Sequence, residues 1–105
     1  LWHDRAVFHF LTDAADRAKY LNIVRRATAP GGAVVMATFA ADGPEHCSGL
    51  PVARYDVSDL ESLLDGFTVV TSRREEHITP AGAIQPFTWI AARRAMAAPE
   101  LRSRR

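Results

Sequence analysis

The sequence has one cysteine, one lysine, almost no net charge and no long apolar run. Each scarcity removes a class of answer. Cys47 on its own forms neither an internal disulfide nor a cysteine-based zinc cage, so a reducing cytoplasm is the expected compartment. Thirteen basic and twelve acidic side chains leave a formal charge of +1, too little for a global field toward nucleic acid or anionic lipid. The longest apolar stretch, residues 33–41 broken only by Thr38, is about half of what a bilayer crossing needs. No basic-then-apolar leader opens the chain, and no secretion signal is expected. Twelve arginines stand beside the single Lys19, with eighteen alanines; this bias reflects GC-rich coding and carries no chemistry. The first residue is Leu1 and not methionine, so a piece of something longer is expected.

What remains is an ordinary globular composition, 48% hydrophobic and 24% charged, at a length of 105 residues that suits one domain and not two. The charge is uneven. From Arg93 onward five arginines face only Glu100, and the rest of the chain is net acidic.

Residues 1–11, LWHDRAVFHFL, fit no clean period and predict a loop followed by a short buried helical turn. Thr12 and Asp13 are good N-caps, because a short side-chain oxygen accepts from the orphan amides of a first turn. A helix follows to about Ala29, with Tyr20, Ile23, Val24 and Ala27 at i, i+3, i+4, i+7 and with Ala14 and Leu21 at the margins of that stripe. Pro30, Gly31 and Gly32 stop it. The continuous run AVVMATF, Ala33 to Phe39, then predicts a strand buried on both faces and therefore a parallel sheet. Residues 40–55 read as a long loop. Asp56 or Ser58 caps a short helix, with Ser58 and Glu61 at capping-box spacing, Leu60, Leu63 and Leu64 as its buried stripe, and Gly66 as its end. Residues 67–77 and 87–94 predict two strands joined by a turn-rich link, hence an antiparallel pair.

Two segments arrive with this order at matching spacing: AVFHFLTD (residues 6–13) ahead of the first helix, and APGGAVVMATF (29–39) at its end. Together they resemble the C-terminal half of class I S-adenosylmethionine-dependent methyltransferases. More narrowly, WHDRAVFHFL (2–11), FAADGPEHCSGLPVARY (39–55) and TPAGAIQPFTW (79–89) resemble a small bacterial subgroup of methyltransferase-domain proteins. The resemblance covers residues 1–94. It implies an α/β, Rossmann-like fold, mostly parallel with a C-terminal antiparallel strand pair. It also implies that the first three strands and most of the fourth are missing, leaving about four strands of seven. Residues 95–105 are then a basic, disordered tail. The implied cofactor is S-adenosylmethionine, and the implied partner a small-molecule methyl acceptor. The departure is equally plain. The family's glycine-rich loop after its first strand lets the backbone approach the cofactor, and these residues contain no G-x-G.

The resemblance puts Trp2, His3 and Asp4 just past the end of the fourth strand. Leu1 and Trp2 would then contact the cofactor, and His3 or Asp4 would accept a proton near the transferred methyl. The other reading has Trp2 packing and Asp4 capping the following turn. Arg5, His9, Arg54 and Trp89 are the candidates for acceptor binding. Against that stand a surface ion pair for Arg5, a satisfied core histidine for His9, an exposed loop position for Arg54 and burial against the sheet for Trp89. His3, Asp4 and His9 lack metal-ligand spacing, so no metal is expected. His46 and Cys47 are neighbours whose side chains diverge, which does not suit a catalytic pair. Residues 73–77 read as edge-protecting charge, and the terminal arginines as solvated, with no nucleic-acid or membrane partner. The chain alone is expected to bind the cofactor weakly or not at all. The alternative is a non-catalytic half-domain that associates with itself or with a complementary N-terminal chain through an exposed edge and an uncovered apolar face.

Overall fold

The run of β-branched and apolar residues at 33–39 forms the strand around which the other elements assemble. The computed structural model describes residues 1–96. In chain order these form β1 (Trp2–Arg5), a 3-10 turn (Phe8–Phe10), α1 (Ala14–Ala27), β2 (Ala33–Phe39), the two-residue strands β3 (His46–Cys47) and β4 (Leu50–Pro51), α2 (Val57–Leu63), β5 (Phe67–Ile78) and β6 (Ile84–Arg94). The tail expected from residue 95 falls, from residue 97, outside the described residues.

The main sheet has the order β1-β2-β6-β5. β1 pairs with β2 in parallel, Asp4 opposite Met36, through the α1 crossover. The two other contacts are antiparallel, so the sheet is mixed and the expectation of a mostly parallel one is corrected. Chain reversal explains this. The turn at residues 79–83 returns β6 between β2 and β5, and a strand inserted there runs against both neighbours. β6 begins three residues earlier than expected and includes Pro86. The Pro86 carbonyl accepts from the Ala40 amide beyond the last β2 pair, Phe39 with Phe87, so its ring nitrogen displaces no ladder bond.

Residues 2–5 form a strand and not the loop expected, because four amides can pair with β2 although no periodicity marks them. α1 is capped by the Asp13 side chain, which accepts from the Ala15 amide at 2.9 Å. Its buried face is Leu21, Val24 and half-buried Tyr20. Ile23, 48% exposed, and Ala27 lie outside that face, so the expected stripe is rotated by about one position. Gly31 adopts a positive φ of 78°, which lets the chain reverse from α1 into β2. A side chain at Gly32 would meet the Ala29 carbonyl at 2.8 Å. α2 carries its capping box on Asp56 and Asp59, not on Ser58 and Glu61. Asp56 is the residue with extended backbone, so its carboxyl reaches the first-turn amides.

Both helices pack on one side of the sheet, where Phe8, Leu21, Val24, Leu60 and Leu64 close over Val34, Met36, Ile90 and Ala92. On the opposite side, the 40–55 loop brings Val52 and Cys47 over Ala37, Phe39 and Phe87. The loop is tied down at Tyr55 and Ala53, whose amides donate to the Phe39 and His9 carbonyls. No helix among the described residues lies over the rest of that side.

Candidate functional site

In open α/β sheets the ligand crevice lies outside the carboxyl ends of the parallel strands. Here those ends are Arg5 of β1 and Phe39 of β2, followed by the 6–13 turn and the 40–55 loop. Ala6 makes the turn possible. It holds a left-handed backbone, φ 62°, that a non-glycine residue adopts rarely, and its amide donates to the Ala37 carbonyl at 2.8 Å.

Asp4 anchors this turn. Its side chain is buried and accepts from the Val7 amide at 2.9 Å and the Phe8 amide at 3.1 Å. The Tyr20 hydroxyl, from α1, donates to the same carboxyl and accepts from the Trp2 indole at 3.1 Å. Burial first, and the Asp4 carboxyl second, hold the Tyr20 phenol well above its ordinary pKa. Trp2, Asp4 and Tyr20 are thus one hydrogen-bonded cluster on the helix side of β1.

His9 is fully buried between Phe10 and Phe39, with ring centroids 4.8 and 4.7 Å away. Its Nδ1 accepts from the Phe39 amide at 3.0 Å, which puts the proton on Nε2 in the neutral ring; Nε2 has no partner. Desolvation lowers the His9 pKa below 6.5.

The expected site residues separate by strand alternation. His3 and Asp4 are consecutive in β1 and face opposite sides of the sheet, and both lie within the strand, not past its end. His3 and Trp89 meet on the helix-free side, ring centroids 6.5 Å apart. Leu1, 89% exposed, and Trp2 stand at the amino end of β1, away from the crevice. Arg5 and His9 are at the carboxyl end. Arg54 joins them on the loop, where it donates to the Gly43 carbonyl at 3.0 Å and pairs with Glu45 at 3.4 Å.

Sequence reasoning misses Tyr20 and Asp42 as candidates and reads Arg74 as edge-protecting charge. Tyr20 was read as core alone, since nothing local links it to Asp4 sixteen positions earlier. Asp42 and Arg74 form a two-pronged pair at 2.8 and 3.0 Å that fastens β5 to the loop. The Arg74 bond holds the Asp42 carboxyl below its ordinary pKa. They border a cavity of about 270 Å³ shared with Asp56 and Thr88.

As a cofactor cradle, these residues do not suffice. The crevice has no glycine-rich loop, Trp2 is committed to Tyr20, and the Asp4 carboxyl is taken by three donors. Among the described residues no group of three or more His, Cys, Asp or Glu is placed to hold a metal ion. No helix of the described residues is long and apolar enough to cross a membrane.

Order, crossover and edge pair together define a class I S-adenosylmethionine-dependent methyltransferase-like fold. The chain is similar to a SAM-dependent methyltransferase from Methanosarcina mazei, with a TM-score of 0.70 and 15% identity over 90% of this chain and 58% of that one. It is also similar to the 1,6-didemethyltoxoflavin-N1-methyltransferase of Burkholderia thailandensis, solved with 1,6-didemethyltoxoflavin and S-adenosylhomocysteine bound. There the TM-score is 0.67 and the identity 21%, over 89% of this chain and 42% of that one. A third structure, concerned with converting a disulfide bond into a thioacetal group during echinomycin biosynthesis, gives a TM-score of 0.62 and 14% identity over 94% and 50%. The chain spans about half the length of the solved structures it matches. No family model matches the sequence, and no curated protein does.

Two outcomes follow for stability. Tyr20→Phe removes a donor from a buried carboxyl and costs about 1–3 kcal/mol in urea unfolding. Tyr55→Phe removes a buried hydroxyl that has no partner and is neutral or stabilising. Equal losses for the two variants would refute the Asp4 cluster as a structural joint. Because the folded-state pKa of His9 is depressed, its contribution is fully present above pH 6.5 and is lost as pH falls below that value. The urea midpoint therefore drops between pH 7.5 and 5.5. His9→Asn, which keeps an acceptor for the Phe39 amide and does not titrate, reduces that drop; an unchanged drop would contradict the assignment.

Proposed function

We propose that this chain is the acceptor-side part of an S-adenosylmethionine-dependent methyltransferase acting on a small molecule, and that these residues alone do not turn over. The observation that carries the reading is the likeness of 89% of the chain to a methyltransferase solved with 1,6-didemethyltoxoflavin and S-adenosylhomocysteine bound. Arg5 and Arg54 flank the acceptor at the carboxyl ends of β1 and β2 and supply positive charge, while the buried His9 holds the turn behind them through the Phe39 amide. Asp4 is a positioning residue in this reading, since its carboxyl fixes the turn that carries His9. His3, exposed and free of that network, is the proton acceptor at the sheet's other side if the reaction needs one. Methyl transfer itself relies chiefly on in-line positioning. Leu1 and Trp2 stand at the amino end of β1 and lie outside this proposed crevice, with the Trp2 indole donating to Tyr20.

The absence of a G-x-G loop from these residues supports weak cofactor binding. Titration of the ¹⁵N-labelled chain with S-adenosylhomocysteine reads both parts of the proposal. The expected result is amide shifts confined to residues 3–10 and 43–54, saturating only near or above about 1 mM. Micromolar stoichiometric binding by calorimetry would overturn the statement that the chain alone is incompetent. Shifts scattered over β5 and α2, or none at all, would overturn the site.

A further inference from the structure

Among the described residues β5 is an outer strand of the sheet, and its outer side has no strand partner. Past the irregularity between Val69 and Thr71 it runs in unbroken register with β6, from Thr71 opposite Ala91 to Ile78 opposite Ile84. The Pro86 carbonyl is turned toward Ala40, on the β2 side. Glu76, opposite Pro86, therefore has its own amide and carbonyl turned away from β6. Alternation gives Ser72 and Arg74 the same outward direction, and all three residues are exposed. Such a row of unpaired backbone groups is a template for another strand.

The side chains decide which strand fits. Along the edge stand Arg73, Arg74, Glu75 and Glu76. A two-fold axis perpendicular to the sheet continues it antiparallel into a second copy and keeps every residue on its own side of the sheet. The axis must then pass through one residue paired with its own counterpart. Centred on Arg74, it sets Arg73 opposite Glu75 of the second copy, Glu75 opposite that copy's Arg73, and Ser72 opposite its Glu76. Directly opposite side chains lie about 4.5–5.5 Å apart at Cβ, where unlike charges stabilise and like charges destabilise the pair. The one like-charged contact is Arg74 with its counterpart. Each of these guanidinium groups is already compensated by Asp42 at 2.8 and 3.0 Å and by Glu76 at 3.4 Å. Centred one residue further, the axis would instead oppose two half-buried Glu75 carboxyls, each bonded to an uncharged Trp89 indole.

We propose that the outer edge of β5 is the interface of a two-fold homodimer, in which residues 72–76 of two copies pair antiparallel about Arg74. The charges that repel other strands from this edge are self-complementary in this register, so they select a second copy of the chain. Pairing occupies both β5 edges and stops at two copies. β1 is at the opposite end of the strand order, so His3, Arg5 and the crevice at the carboxyl ends of β1 and β2 stay open. The proposal rests on the sheet edge and not on methyl transfer, and it stands or falls separately from the cofactor titration.

The test is sedimentation of the 105-residue chain. The unaltered chain is expected to pass from monomer to dimer between about 10 μM and 1 mM, as suits a small edge interface. Arg73→Glu and Glu75→Arg each set like charges opposite one another and raise the dimer dissociation constant at least about tenfold. Mixed in equal amounts, the two variants complement each other, and the mixture dimerises as the unaltered chain does. Amide hydrogen exchange on the unaltered chain gives a readout that needs no variant. Raising the concentration slows exchange at Ser72, Arg74 and Glu76 at least about tenfold and leaves Arg73 and Glu75, already paired with β6, unchanged. A chain monomeric up to about 1 mM, or protection that rises elsewhere in place of these three amides, would overturn the proposal. So would a single variant that dimerises undiminished, or a mixture that stays monomeric.

Discussion

Two-sided burial of β2 is the constraint on which the rest of this structure depends. Val34 and Met36 face the helices, and Ala37 and Phe39 face the loop that carries Val52 and Cys47. A strand this apolar is disfavoured at a sheet edge, where its unpaired backbone would face solvent. β1 must therefore flank it on one side and β6 on the other, α1 must cross back over it, and the 40–55 loop must fold down onto its end. Burying each large side chain fully contributes about 1.5–3 kcal/mol, so the cluster around β2 outweighs any surface ion pair in the chain.

Asp4 connects this scaffold to the crevice. β1 is only four residues long, and its position is fixed from two directions: by its ladder with β2, and by the carboxyl that accepts from the Val7 and Phe8 amides and from Tyr20. The turn that follows carries His9, whose ring in turn accepts from the Phe39 amide. The carboxyl ends of the two parallel strands are thereby locked to each other through side chains, which is what a ligand crevice there needs if its geometry is to persist. The proposed acceptor contacts inherit their precision from that lock, since Arg5 ends β1 and His9 holds the turn that follows it.

Elements with strong local signals were legible in the sequence. β2 follows from its unbroken apolar run, α1 from Asp13 and the 3.6-residue period, and the reversal between them from Pro30 and Gly31. What escaped depends on partners distant in the chain. β1 has no periodicity and is a strand because β2 lies beside it. At α2 the cap is Asp56, one of the two residues expected, but its reciprocal partner is Asp59 and the Ser58–Glu61 box does not form, because Ser58 already lies inside the helix. The sheet's mixed character depends on β6 inserting between β2 and β5, an arrangement that two adjacent strands in sequence do not reveal. At the site the same division holds. The burial of His9 was one of two readings left open, whereas the Tyr20–Asp4 contact and the separation of His3 from Asp4 required knowing that residues 2–5 are extended.

The lack of a G-x-G loop among these residues and the half-length match to longer methyltransferases both support the proposed reading, in which this chain supplies the acceptor-side part of a larger methyltransferase-type domain. The reading frame immediately 5′ of the Leu1 codon tests that reading most directly. The proposed reading predicts in-frame coding sequence containing a strand followed by a G-x-G loop and a helix. A frame without such a unit, or one closed by a stop codon before Leu1, would contradict it.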